Sequence, residues 1–74
     1  MMPLTFAGKG KFKVNRINGG NIVKNRLAKM GIIEGSYIRV SNAHHGGPVV
    51  VQLQDAQYGI GIGVASKIDV TPIS

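Results

Sequence analysis

The sequence predicts a mainly β domain: a small, closed or nearly closed barrel of five short strands with one short helix. Three observations point there. Apolar and polar residues alternate in five separate stretches, the period of half-buried strands. One stretch, Asn21 to Met30, instead spaces Val23, Leu27 and Met30 at i, i+4 and i+7, which makes one apolar stripe on a helix. Eleven glycines in 74 residues fall largely between these stretches, where tight turns need them.

The first strand is "GKFKVNRI", Gly10 to Ile17, with Phe12 and Val14 inward. The apolar position then slips to Ile17, and a slip of this kind predicts a bulge near Asn15 and Arg16. The helix follows a Gly19-Gly20 turn. Asn21 is a good N-cap residue, its side-chain oxygen able to accept an orphan N–H. Gly31 stands where a left-handed C-cap belongs. So short a helix is marginal by itself, so its stripe must dock on the strands.

"SYIRVSN" places Ile38 and Val40 on one face and Tyr37, Arg39 and Ser41 on the other. "PVVVQLQ" does the same with Val49, Val51 and Leu53 against Gln52 and Gln54, and "AHHGG" between them supplies a hairpin turn. "YGIGIG", Tyr58 to Gly63, alternates Ile60 and Ile62 with glycine, a strand with one bare face open to close approach. "KIDVTP" closes the pattern with Ile68 and Val70 before Pro72. Ile38, Val40, Val51, Ile60 and Val70 are the expected core, with Leu27 packed on them. Residues 1–74 read as one domain, without repeat or linker.

Nine Lys and Arg against three acids give a formal charge of +6. That balance favours an anionic partner: nucleic acid, an acidic protein face or anionic lipid. No apolar run is long enough to span a membrane and the N-terminus lacks a signal-peptide core, so a cytoplasmic protein is expected. The absence of Cys excludes disulfides and thiolate metal sites. Glu34, Asp55 and Asp69 are far apart in sequence, and no nucleophile and base stand at a recognisable spacing, so no catalytic residue, cofactor or enzymatic activity is expected. "GIGIGVA" lacks both the spacing and the following long helix of a dinucleotide-binding loop.

The stretch "GKFKVNRINGGNIVKNRLAKMGIIEGSYIRV" resembles the ferrous iron transport protein A (FeoA) family. The resemblance rests on Gly19-Gly20, Arg26-Leu27, Met30-Gly31-Ile32, Gly35 and the strand through Val40, with "GGPVVVQL" and "VASKIDVTP" similar to the later strands. It covers nearly the whole chain from about Gly8 onward. The resemblance implies an SH3-like barrel and a cytosolic accessory role in bacterial ferrous iron uptake, with a FeoB-type membrane transporter, which carries a cytosolic GTP-binding domain, as partner. Diphtheria-toxin-repressor-type regulators carry the same barrel behind a winged-helix domain; these 74 residues show no such pattern, so a complete regulator is not expected.

Lys24, Arg26 and Lys29 are the expected partner-binding residues. Lys29, in the last turn, suits the helix dipole; Lys24, in the first, opposes it, so helix stability does not explain Lys24. The alternative is a nucleic-acid-binding barrel, which normally offers exposed aromatics for base stacking. Phe6, Phe12, Tyr37 and Tyr58 are the only aromatics, Phe12 patterned as core, and the protein partner is favoured.

His44 and His45 are adjacent at the expected hairpin tip, with no Cys or nearby acid to complete a metal site. Titration with ferrous or zinc ion should therefore give no saturating shifts at either imidazole. Stoichiometric micromolar binding that is lost when both become Ala would overturn this.

Overall fold

The computed structural model describes residues 1–43 and 47–73. Its elements are β1 (Met2–Pro3), a 3-10 turn (Leu4–Phe6), β2 (Gly10–Ile17), α1 (Asn21–Lys29), β3 (Tyr37–Ala43), β4 (Val49–Leu53), β5 (Ala56–Ile60), α2 (Ile62–Ala65) and β6 (Ile68–Pro72). The strands form one antiparallel sheet in the order β1-β6-β2-β3-β4-β5. The mainly β, SH3-like architecture is the expected one, with two differences. The described residues form six strands, and the ladder ends at β1 and β5 instead of closing on itself. The ends are joined by packing: the 3-10 turn after β1 lies against α2 after β5.

Strand patterning produces the core directly. Phe12, Val14 and Ile17 of β2 are buried, as are Ile38, Val40, Val49, Val51, Ile60, Ile68 and Val70. Between Val14 and Arg16 the register to β6 shifts, leaving Asn15 unmatched. This is the expected bulge, and it returns Ile17 to the inner face. A second shift falls between Val40 and Asn42, where the Ser41 hydroxyl donates to the Val50 carbonyl oxygen at 3.3 Å. The alternation of β3 carries no sign of it.

α1 docks as its stripe requires. Leu27 is buried, and Val23 and Met30 pack partly buried against the same core. The start differs from expectation: Gly20, in extended backbone, is the N-cap and makes no side-chain cap, while Asn21 is already helical. The end is as expected. Gly31 has φ +86, its N–H donates to Ala28 O and the Ile32 N–H to Leu27 O, both at 2.9 Å. These two bonds are a Schellman motif, and they turn Ile32, fully buried, onto Leu27.

Two further corrections concern the ends of the sheet. The N-terminal lead-in contributes β1 and the buried Leu4 and Ala7; two residues, one of them Pro, are too few to show alternation, and Pro is tolerated on an edge. The expected strand Tyr58 to Gly63 runs instead from Ala56 to Ile60 and gives way to α2. Gly61 caps that turn, accepting N–H donation from Val64 at 3.1 Å and Ala65 at 2.8 Å. Ala65 thereby becomes the buried residue and Ile62 lies 43% exposed. Glycine alternation mimicked a strand because a bare face carries no information about the backbone.

Two substitutions test the helix dock. Leu27→Ala should cost about 2–5 kcal/mol in denaturant unfolding; a loss below about 0.5 kcal/mol would mean that α1 does not cover the core. Gly31→Ala meets only ordinary contact, 3.8 Å to the Leu53 side chain, so its penalty is the left-handed backbone, about 1–2 kcal/mol. An unchanged unfolding midpoint would show that the cap relaxes without it.

Candidate partner-docking face

Lys24, Arg26 and Lys29 are all exposed on α1, but they do not share one face. A helix advances about 100° per residue, so Lys24 and Arg26 stand on opposite flanks of the buried Val23, Leu27 and Met30 stripe. Arg26 and Lys29 fall on the same side, at i+4 and i+7 from Ile22. Ile22 is 80% exposed. The stripe of Val23, Leu27 and Met30 leaves Ile22 about 100° away from Val23, on the side of the helix that points to water.

The two flanks look onto different clefts. Lys24, with Asn25 and Ala28, borders a cleft of about 350 Å³ whose other wall includes Ile17, Ile33 and Glu34. Glu34 is held there because its Oε2 accepts the Ile17 N–H at 3.1 Å, while the Gly35 N–H donates to Val14 O at 2.7 Å. Lys24 thus shares a cleft with a carboxylate of its own chain. This offers a within-chain reason for a cation that the helix dipole alone disfavours.

Arg26 borders a narrower cleft of about 140 Å³ between α1 and the β5–α2 junction, with Leu27, Met30 and Ile60 as apolar lining and Gly59 and Gly61 as the opposite wall. At Gly59, Gly61 and Gly63 an added Cβ would meet nothing within 4 Å. The glycine run therefore keeps backbone open to approach, as its bare pattern suggested, although it does so as a strand end and a helix cap. Met30 also borders a cleft with Ala56 and Tyr58, so the C-terminal turn of α1 lies alongside β5.

Among the described residues, no polar or charged side chain belongs to the buried set, and no group of three or more His, Cys, Asp or Glu is placed to hold a metal. His44 and His45 lie outside the described residues. Among the described residues, no helix is long and apolar enough to cross a membrane. What the molecule presents at α1 is an exposed aliphatic residue, Ile22, two cations on the same side of the helix, and a cleft with glycine on one wall.

Known proteins align with the whole of this architecture. The FeoA domain model matches residues 2–72. A protein of Methanocaldococcus jannaschii named "Putative Fe(2+) transport protein A" is 38% identical over 69 residues, spanning 92% of this chain and 83% of its own. The crystal structure of an iron uptake regulatory protein (FeoA) superposes with a TM-score of 0.85 at 33% identity, covering 93% of each chain. The solution structure of a FeoA-like protein from Clostridium acetobutylicum gives a TM-score of 0.80 at 25% identity, covering 99% of this chain and 87% of that one.

Proposed function

The chain belongs to the FeoA domain family, a small family associated with ferrous iron transport, and from that premise we propose that it is a cytosolic accessory protein acting by contact with the cytosolic part of a FeoB-type iron transporter. The contact is non-enzymatic and its partner face is acidic. The names of the relatives support the transport setting; the charge of +6 supports the sign of the partner.

One observation supports putting the contact on α1. Ile22, 80% exposed, shares a side of the helix with Lys29 and with Arg26, which borders the glycine-walled cleft. An aliphatic residue held in water gains on docking, and the cations around it supply a polar rim. Lys24 belongs to the expected set, but its flank faces Glu34, so its share of the attraction is the smaller one.

Rim charges act mainly on the rate of encounter and are screened by salt. Changing Lys24, Arg26 and Lys29 together to Gln should leave the fold intact and slow association with the transporter's cytosolic domain about tenfold at low ionic strength. Arg26→Gln with Lys29→Gln should reproduce most of the loss, Lys24→Gln alone little of it. Wild-type association by the triple variant in low salt, measured by stopped-flow or surface resonance, would remove α1 as the docking face.

A further inference from the structure

The outer face of β2 and β3 carries a second feature that the docking reading does not use. β2 and β3 pair so that Lys11 stands directly opposite Arg39 and Lys13 directly opposite Tyr37. All four side chains are exposed, Tyr37 by 63%. Residues two apart on a strand share a face, so these four form a block of three cations around one phenol ring. The row continues from Arg39 to Gln52 on β4 and Gln57 on β5. Like charges directly opposite across a ladder are destabilising, and nothing in the strand pattern requires a cation at either position.

This block also borders a cleft. About 380 Å³ lies between Lys11, Tyr37, Arg39, Gln52 and Gln54, with Leu53 and Ile73 as apolar walls. None of the chain's three acids lines it. Its outer wall is fixed, because the Ile73 N–H donates to the Lys11 carbonyl oxygen at 3.0 Å. The volume falls within the range of small-ligand sites, about 300–1,000 Å³.

We infer that this cleft binds a nucleoside phosphate. Two cations on neighbouring strands match a phosphate or diphosphate group, whose charge relieves the repulsion between Lys11 and Arg39. Tyr37 offers a face for a base, and stacking of that kind tolerates any base. The Gln52 and Gln54 amides can donate and accept, as base and ribose edges require. A carboxylate-rich peptide would satisfy the cations but leave the ring and the amides without a role. The nucleoside phosphate can be a free nucleotide or one residue of a single strand. The site is independent of α1 and stands whether or not that helix docks the transporter.

Titrating 15N-labelled protein with ADP, pyrophosphate, adenosine and a short single-stranded oligonucleotide tests the inference. ADP should give saturable shifts at the amides of Lys11, Tyr37, Arg39 and Gln52. Lys11→Gln and Arg39→Gln, exposed changes whose melting temperatures check the fold, should each weaken ADP roughly tenfold. Tyr37→Ala should weaken ADP several-fold and leave pyrophosphate unchanged. An oligonucleotide that displaces ADP from the same amides, with affinity falling linearly in log salt, would support the site and identify a strand as its source. No saturation by any phosphate probe, shifts confined to α1, or ADP binding indifferent to Tyr37→Ala would overturn it.

Discussion

Nine helical residues are too few to persist in water unaided, so α1 depends on Leu27 being driven into the interior of the sheet. Gly31 makes that insertion compatible with the chain's return to β3. Its positive φ lets the Gly31 and Ile32 N–H groups satisfy the last carbonyls of α1 while Ile32 folds back onto Leu27. The loop beyond is tied down in turn: the Ser36 hydroxyl donates to Gly31 O and accepts from the Ile33 N–H, and Glu34 accepts from Ile17. One buried leucine and one left-handed glycine thus set where the helix lies, and with it every exposed side chain on α1.

That constraint divides the basic charge among separate surfaces. With Leu27 pointing inward, Lys24 borders the cleft that Glu34 also lines, and Arg26 borders the one between α1 and the β5–α2 junction. The cations of β2 and β3 go to the outer face of the sheet for a different reason: the pleat puts Lys11, Lys13 and Arg39 outward wherever Phe12, Ile38 and Val40 go inward. A single figure for net charge therefore conceals at least two electrostatic faces, each with its own apolar neighbour, Ile22 on one and Tyr37 on the other. Recognition of a protein and recognition of a phosphate do not compete for the same residues.

What alternation alone settled is considerable: the burial of Ile38, Val40, Val51, Ile60 and Val70, the stripe of α1, the bulge at Asn15 and the cap at Gly31 were all legible, because each is a local consequence of side-chain period or of glycine's freedom at positive φ. The resemblance carried by Gly19-Gly20 and Met30-Gly31-Ile32 added the family. Features without a local signature stayed hidden. β1 is two residues long, and α2 is four residues disguised by glycine alternation; both exist because they pack on each other's neighbours at the ends of the sheet. Lys24, Arg26 and Lys29 were legible as exposed helix positions, but the division of Lys24 and Arg26 between two clefts was not, since a helix repeat gives angles around an axis and no walls.

The sequence by itself determined the inward residues of β2, β3, β4 and β6, where the helix begins to turn back and that the composition is basic, since hydrophobic period, glycine conformation and charge count are properties of neighbours along the chain. Only the tertiary structure decided that Lys24 and Glu34 line one cleft, that Arg26, Gly59 and Gly61 line another, and that Lys11, Arg39 and Gln52 line a third. Each of those clefts joins residues from different elements, and their proximity is set by strand register and by the docking of Leu27, which no local pattern encodes.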